Sequence, residues 1–213
     1  MRFIDEHWSR GHVLSWHQAL MDWQHFDPAS GRHNFLLGWR GSKLVGVLGF
    51  VPIRLYDPDL RDHSVCWLAL WKIREDAQVA GLGLSMLGHL RENETCAAMG
   101  VIGIGPSEHL PMYKALGFTT GEYRQHFVTR PDVALSVARI PAGNPRPVPA
   151  QGDVVFEELN SNTVERAEQE LELAERAQLQ PRKTGTYFRN RFLEHPVYRY
   201  QVHLLRATVR PAD

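Results

Sequence analysis

Residues 64–73, SVCWLALWKI, are almost continuously apolar, and they lead into a glycine turn, QVAGLGL, at residues 78–84. An apolar run of this length bounded by turn signals reads as a central strand covered on both faces. Beyond the glycines, Leu84, Leu87 and Leu90 recur at helical spacing up to the polar RENE, so the unit is strand, turn, helix. Backbone amides from Val79 to Leu84 would then point into one concavity at a helix N-terminus, a geometry suited to a pyrophosphate. The plainer alternative is a strand-to-helix turn that binds nothing. The lysine that completes a nucleoside-triphosphate P-loop is absent.

Around this unit the chain is ordered on a small scale. Residues 3–27 read as short helical pieces separated by a Gly11 turn, and DPASGRHN as a loop. NFLLGWRGSKLVGVLGFVPIRLY has two apolar runs flanking RGSK, which is a hairpin with a Gly-Ser turn. AAMGVIGIG should be a further strand, Leu110–Leu116 in numbers 110–116 a short helix closed by Gly117, and residues 118–129 a last strand or pair. Residues 140–152 carry four prolines and two glycines and read as a linker between residues 1–139 and an incomplete second α/β segment at 153–213. There VVFEEL suggests a strand and residues 162–179 one amphipathic helix with Val164, Ala167, Leu171 and Ala174 on a stripe. A helix, a proline break and one strand complete it. These are too few elements to close a second core.

The 213 residues balance 24 Lys+Arg against 24 Asp+Glu, so the overall positive field that nucleic acid needs is missing. No apolar run approaches a membrane span and the N-terminus lacks an apolar leader. Cys66 and Cys96 read as buried thiols of a reducing compartment, without the neighbouring ligands a metal would need. The expectation is a cytoplasmic protein with no membrane, nucleic-acid or metal partner.

The order of hairpin, central strand, glycine turn, helix, strand and short helix resembles the GNAT superfamily of acyl-CoA-dependent N-acetyltransferases. The family's acyl-CoA signature, Arg or Gln, two residues, Gly, one residue, Gly or Ala, is matched by Gln78, Val79, Ala80, Gly81, Leu82 and Gly83. A second element, a tyrosine four residues before Gly-Phe, is matched by Tyr113, Gly117 and Phe118. The resemblance covers roughly residues 1–130. It implies an α/β (α+β) fold, a mixed and mostly antiparallel sheet flanked by helices. It also implies acetyl-CoA as co-substrate, with its pyrophosphate on residues 78–84. The strand before the turn and the next strand splay apart in this family, and the pantetheine arm pairs with main chain, here up to Ile73, with an amide of Trp71 or Ile73 polarising the thioester. Tyr113 would protonate the departing thiolate. Glu75 stands where the family often has proline, and Pro106-Ser107 where it commonly has asparagine. The central strand carries no acid, which leaves the general base open among Glu108, His109, His63 and the N-terminal histidines.

The region that forms the acceptor pocket in this family is here EHWSRGHVLSWHQALMDWQHF, with four histidines and three tryptophans in 21 residues. Trp8, with Trp16 and Trp23, could stack on a sugar ring or apolar side chain, and His12 could orient a hydroxyl or accept a proton; a core helix pair with satisfied histidines is the plainer reading. The stretch W-x-x-x-H-V-L-S is similar to acetyltransferases found with bacterial polysaccharide enzymes, which implies an amino-sugar acceptor. Arg189, Arg191, Tyr198 and Arg199 in the tail form a basic-aromatic cluster that reads as a solvated face or a contact in a homodimer, where a second copy covers the unfinished segment's sheet edge, with a polyanion or second-substrate role as the alternative. The expected activity is transfer of an acetyl group to a primary amine of a small molecule. A non-catalytic module that binds acyl-CoA or a protein partner is the alternative.

Overall fold

In β3 (Phe35–Arg40) and β4 (Lys43–Pro52) the RGSK tip turns at Gly41, and the strands pair antiparallel from Phe35 opposite Gly49 to Arg40 opposite Lys43. The computed structural model describes residues 1–77, 79–104, 109–122, 154–176 and 182–207. Two helices precede the hairpin, α1 (Arg2–His7) and α2 (Gln18–His25), followed by a small ribbon of β1 (Phe26–Asp27) and β2 (Arg32–His33). β5 (Val65–Ile73) pairs antiparallel with β4 and parallel with the short β6 (Ala98–Gly100), giving the order β3-β4-β5-β6. α3 (Leu82–Asn93) connects β5 to β6, and Met86, Leu87 and Leu90 are its buried face. Valine, leucine and phenylalanine make β4 the most deeply buried strand, with Leu48 wholly enclosed.

Beyond these come α4 (His109–Ala115), β7 (Val154–Leu159), α5 (Val164–Leu171), α6 (Leu173–Arg176), α7 (Gly185–Phe188) and β8 (Val202–Ala207), with β7 and β8 forming a two-stranded sheet. The residues fall into two compact units. One takes residues 1–102 and 156–205, and the other takes the described residues of 103–155 and 206–213.

Within the first unit, the C-terminal residues join the core of the N-terminal half instead of starting a separate one. Tyr187 is buried in a cluster with Val51, Ile53, Tyr56, Leu60 and Val65. The attachment is polar as well: Asn190 Nδ2 donates to the Tyr56 carbonyl at 2.7 Å, and Thr184 Oγ1 donates to Asp57. α7 crosses α5 so closely that a Cβ on Gly185 would lie 2.4 Å from Glu165 Cα.

Three expectations change. The helix over 162–179 breaks at Glu172, whose φ is 51°, because only its first part has a core to lie on. Val164 and Ala167 are buried against Leu159, whereas Glu175 and Arg176 are exposed. β5 is central, yet Ala69 is exposed and Trp71, Lys72 and Ile73 are only half-buried, since β6 pairs with it at Val65, Cys66 and Trp67 alone. The predicted strand over 97–105 is regular only at Ala98–Gly100. The linker, Gln78, Pro106-Ser107 and residues 123–129 lie outside the described residues.

Candidate functional site

Side by side, β4 and β5 fix which main-chain groups point where. The Arg74 amide donates to the Val45 carbonyl at 2.9 Å, so the Arg74–Val45 pair is hydrogen-bonded. Pairs alternate along an antiparallel ladder, so the N–H and C=O of Trp71 and Ile73 point away from β4. That is the side on which β5 runs on, over residues 68–73, past its pairing with β6. The register slips between Gly49–Leu70 and Phe50–Leu68, leaving Ala69 as the extra residue of a β-bulge.

The glycine turn follows a 3-10 turn over Glu75–Ala77. Gly81 is the N-cap of α3 with φ of 74°, a conformation open to glycine and strained for side chains, and nothing lies within 4 Å of where its Cβ would be. No side chain caps this helix. Ser85 closes the first helical bond on the Gly81 carbonyl at 2.9 Å, leaving the Gly83 and Leu84 amides at the positions that have no intrahelical acceptor. Gly83 has a second reason to be glycine: a Cβ there would sit 3.2 Å from the Trp71 indole. Strand and turn are thus packed on each other through one ring.

The turn also has a cation that sequence reasoning missed. Arg40, at the end of β3, donates from Nη1 to the Ala77 carbonyl at 3.0 Å and lines a recess of about 360 Å³ with Val79, Ala80 and Leu82. Arg74 and Lys43 both pair with Asp76, and Lys72 pairs with Glu75, so each of these cations already has a carboxylate neighbour. The Arg74 hydrogen bonds hold the Asp76 carboxyl well below the usual carboxylate range. Arg40 has no carboxylate partner among the described residues. It lies 37 residues from Ala77 in sequence, beyond the reach of any local pattern.

Midway along β5 lies a cleft of about 310 Å³ that Ala69 and Leu70 border. Trp8, His12 and Trp23 line it, while Trp16 is 65% exposed and takes no part. Arg191, His195, Tyr198 and Tyr200 line it too. Arg191 and Tyr198 are therefore cleft residues and not simply a solvated face or a dimer contact; Arg189 instead pairs with Glu165. The chain segment that delivers them, Arg189–Leu193, is a π-turn, a rare geometry that is enriched at functional positions.

Both cleft histidines use Nδ1 as an acceptor. His12 Nδ1 accepts from the Leu14 amide at 3.2 Å, and His195 Nδ1 accepts from the Val197 and Tyr198 amides at 3.0 and 2.9 Å. In the neutral ring the proton is then on Nε2, a donor. His195 stacks at 3.9 Å on Trp23, and burial together with Arg191 lowers its pKa, which favours that neutral form. His12 is accordingly arranged to donate from Nε2 to an oxygen. His63 and His109 are exposed.

Tyr113, on α4 in the second unit, is buried, and its ring meets Phe118 edge to face at 5.2 Å. Burial raises its pKa, so the phenol holds its proton at neutral pH. Among the described residues no group of three His, Cys, Asp or Glu side chains is arranged for a metal, and no helix is long and apolar enough to cross a membrane. Cys66 and Cys96 are both free thiols.

No family model matches the chain, and no curated protein matches it. Solved structures do overlap part of it. One is an aminoglycoside acetyltransferase from an uncultured soil metagenomic sample, with TM-score 0.37 and 13% identity over 45% of this chain and 65% of that one. Another is a possible acetyltransferase from Clostridium difficile 630, with TM-score 0.36 and 11% identity over 45% and 64%. A third is a ribosomal-protein-alanine N-acetyltransferase from Brucella melitensis biovar Abortus 2308, with TM-score 0.34 and 12% identity over 45% and 70%. The chain spans just under two thirds of the length of the first two. The described chain has the mixed, mostly antiparallel sheet flanked by helices that the sequence resemblance implied, with a short β5–β6 pairing and a glycine-capped α3.

Proposed function

We propose that this protein transfers an acetyl group from acetyl-CoA to the primary amine of a small molecule. The carrying observation is the continuity of β5, which borders the aromatic cleft at Ala69, turns the main chain of Trp71 and Ile73 away from β4, and ends at the uncapped N-terminus of α3. Residues 78–84 would hold the pyrophosphate through their amides and the helix dipole, with Arg40 adjacent. The pantetheine arm would pair with main chain of β5, and an amide of Trp71 or Ile73 would polarise the thioester carbonyl, a donor of the kind that supplies about 3 kcal/mol in the transition state. The amine in the cleft attacks that carbon, a C–N bond forms, and the C–S bond breaks. Tyr113, which burial keeps protonated, is the proposed proton source for the thiolate; the amine nitrogen releases its proton to solvent, and Tyr113 regains one from solvent, which closes the cycle.

Free thiol released from acetyl-CoA in the presence of an amine panel is the direct measurement. Replacing Tyr113 by Phe should cut turnover on the order of 100-fold while acetyl-CoA affinity holds. Acetyl-CoA binding with no thiol release from any amine would instead identify a non-catalytic acyl-CoA-binding module.

A further inference from the structure

The aromatic cleft contains a positive charge that nothing in it balances. Arg191 is partly buried, its guanidinium carbon 4.5 Å from the Trp23 ring centroid and 4.8 Å from that of Tyr56. Its Nη1 donates to Tyr56 Oη at 3.2 Å, the Tyr187 side chain is a second hydrogen-bond partner, and among the described residues no carboxylate pairs with it. Stacking fixes the plane of the fork, and two tyrosine partners engage only part of its five N–H donors, which leaves others for a ligand. The chain just before Arg191 is anchored twice, Asn190 to the Tyr56 carbonyl and Arg189 to Glu165, so the guanidinium stands on a held stretch of chain and not on a loose tail.

The neighbouring polar groups have the same sense. His12 and His195 spend Nδ1 on main-chain amides and present Nε2–H, so each donates. Donors and one cation between the rings of Trp8, Trp23, Tyr198 and Tyr200 suit a flat or apolar body that ends in an anionic, planar acceptor group. A neutral polyhydroxylated ring would satisfy the donors and leave the charge partly desolvated without a counter-ion, which is costly. An arginine fork matches a carboxylate in two parallel hydrogen bonds.

We propose that the amine taken by this cleft also bears a carboxylate, held by Arg191 with His12 and His195 as Nε2–H donors, its body lying among the aromatic rings. The inference rests on the reading of the cleft as the acceptor end of an acyltransferase, and it narrows the substrate class from amines in general to amino-carboxylates.

The test is equilibrium binding to the whole chain without acetyl-CoA, followed by ligand-observed NMR. The probes are phenylalanine, phenylalaninamide and phenethylamine, with glucosamine and glucosamine 6-phosphate as competing classes. Phenylalanine should bind at least about tenfold tighter than its amide, a difference that one charge-assisted fork accounts for. Arg191→Gln, which keeps a donor and loses the charge, should erase that preference, and Arg191→Lys should retain part of it. Equal binding of phenylalanine and its amide in the wild-type chain overturns the proposal, as does a preference that survives in folded Arg191→Gln, or tighter binding of either sugar. Calorimetry with acetyl-CoA on the same preparation separates the two readings. Carboxylate preference without acetyl-CoA binding removes the acyltransferase reading and keeps the site, and the reverse removes only the site.

Discussion

From Trp71 onward the candidate site is main chain from one local stretch, residues 71–77 and 79–84; at the Ala69 end of the site, midway along β5, it is side chains from three separate stretches, residues 8–24, 69–70 and 191–200. The first end relies on backbone amides whose direction follows from strand alternation and helix geometry. Most substitutions there leave the amides in place, and only those that change backbone conformation matter. The second end is a set of rings and one guanidinium that coincide only if the C-terminal segment docks. One end should therefore tolerate loss of packing that destroys the other.

The strongest way to break this contrast is to undock the tail. Tyr187→Ala removes a buried ring from the Tyr56 cluster, and large-to-small core changes of this kind cost roughly 3–5 kcal/mol. The thermal midpoint should fall, ligand binding in the cleft should vanish, and acetyl-CoA binding should persist below the new midpoint. Simultaneous loss of both ligands in a still-folded variant would show that the two ends are one cooperative site.

Acid offers a gentler route to the same side. His25 ends α2, which carries Trp23, and it is fully enclosed, its Nδ1 hydrogen-bonded to the Phe50 carbonyl. Burial depresses its pKa from 6.5 to about 4, so the unfolded chain binds a proton that the folded chain refuses between those values. Its contribution is complete above pH 6.5 and is lost as pH falls toward 4, worth about 3 kcal/mol over that window. Chemical denaturation at pH 7 and pH 4.5 should show most of that difference, and His25→Gln should flatten the pH dependence even if it lowers stability overall. An unchanged slope in the variant would assign the acid sensitivity elsewhere.

The smallest predicted effect is the sharpest in location. Gly81→Val forces a β-branched side chain to a φ of 74° at the helix cap, a strain of about 1–3 kcal/mol, and it fills the space in front of the amides. Acetyl-CoA affinity measured by calorimetry should drop by roughly 100-fold, the equivalent of about 2.7 kcal/mol. Ligand binding in the aromatic cleft should stay the same. A variant with unchanged acetyl-CoA affinity would remove residues 79–84 from the site.

The contrast between the two ends is also a contrast in what could be read. The strand over 64–73, the glycine turn, α3 and the RGSK hairpin were all legible, because each is set by neighbours within a few residues: apolar spacing, a glycine that accepts positive φ, a turn between two runs. Trp8 and His12 were legible as candidates from their density of rings, but not their partners. Arg191 and Tyr198 read as solvent-facing because local periodicity carries no information about a surface 180 residues away. Arg40 was invisible for the same reason, and the bulge at Ala69 exists only as a register slip between two strands. The helix predicted over 162–179 failed where its stripe ran out of core at Glu172.

The amino-acid order by itself determined the strand–turn–helix unit and hence a place where backbone amides converge, since short-range sterics and hydrogen bonding suffice for that. Tertiary structure alone decided that the C-terminal segment lines the aromatic cleft, that the cleft's histidines are donors, and that Arg40 and Arg191 have no carboxylate partner among the described residues. Those properties depend on which distant side chains and amides come within a few ångströms, and chain folding, not spacing along the sequence, sets such distances.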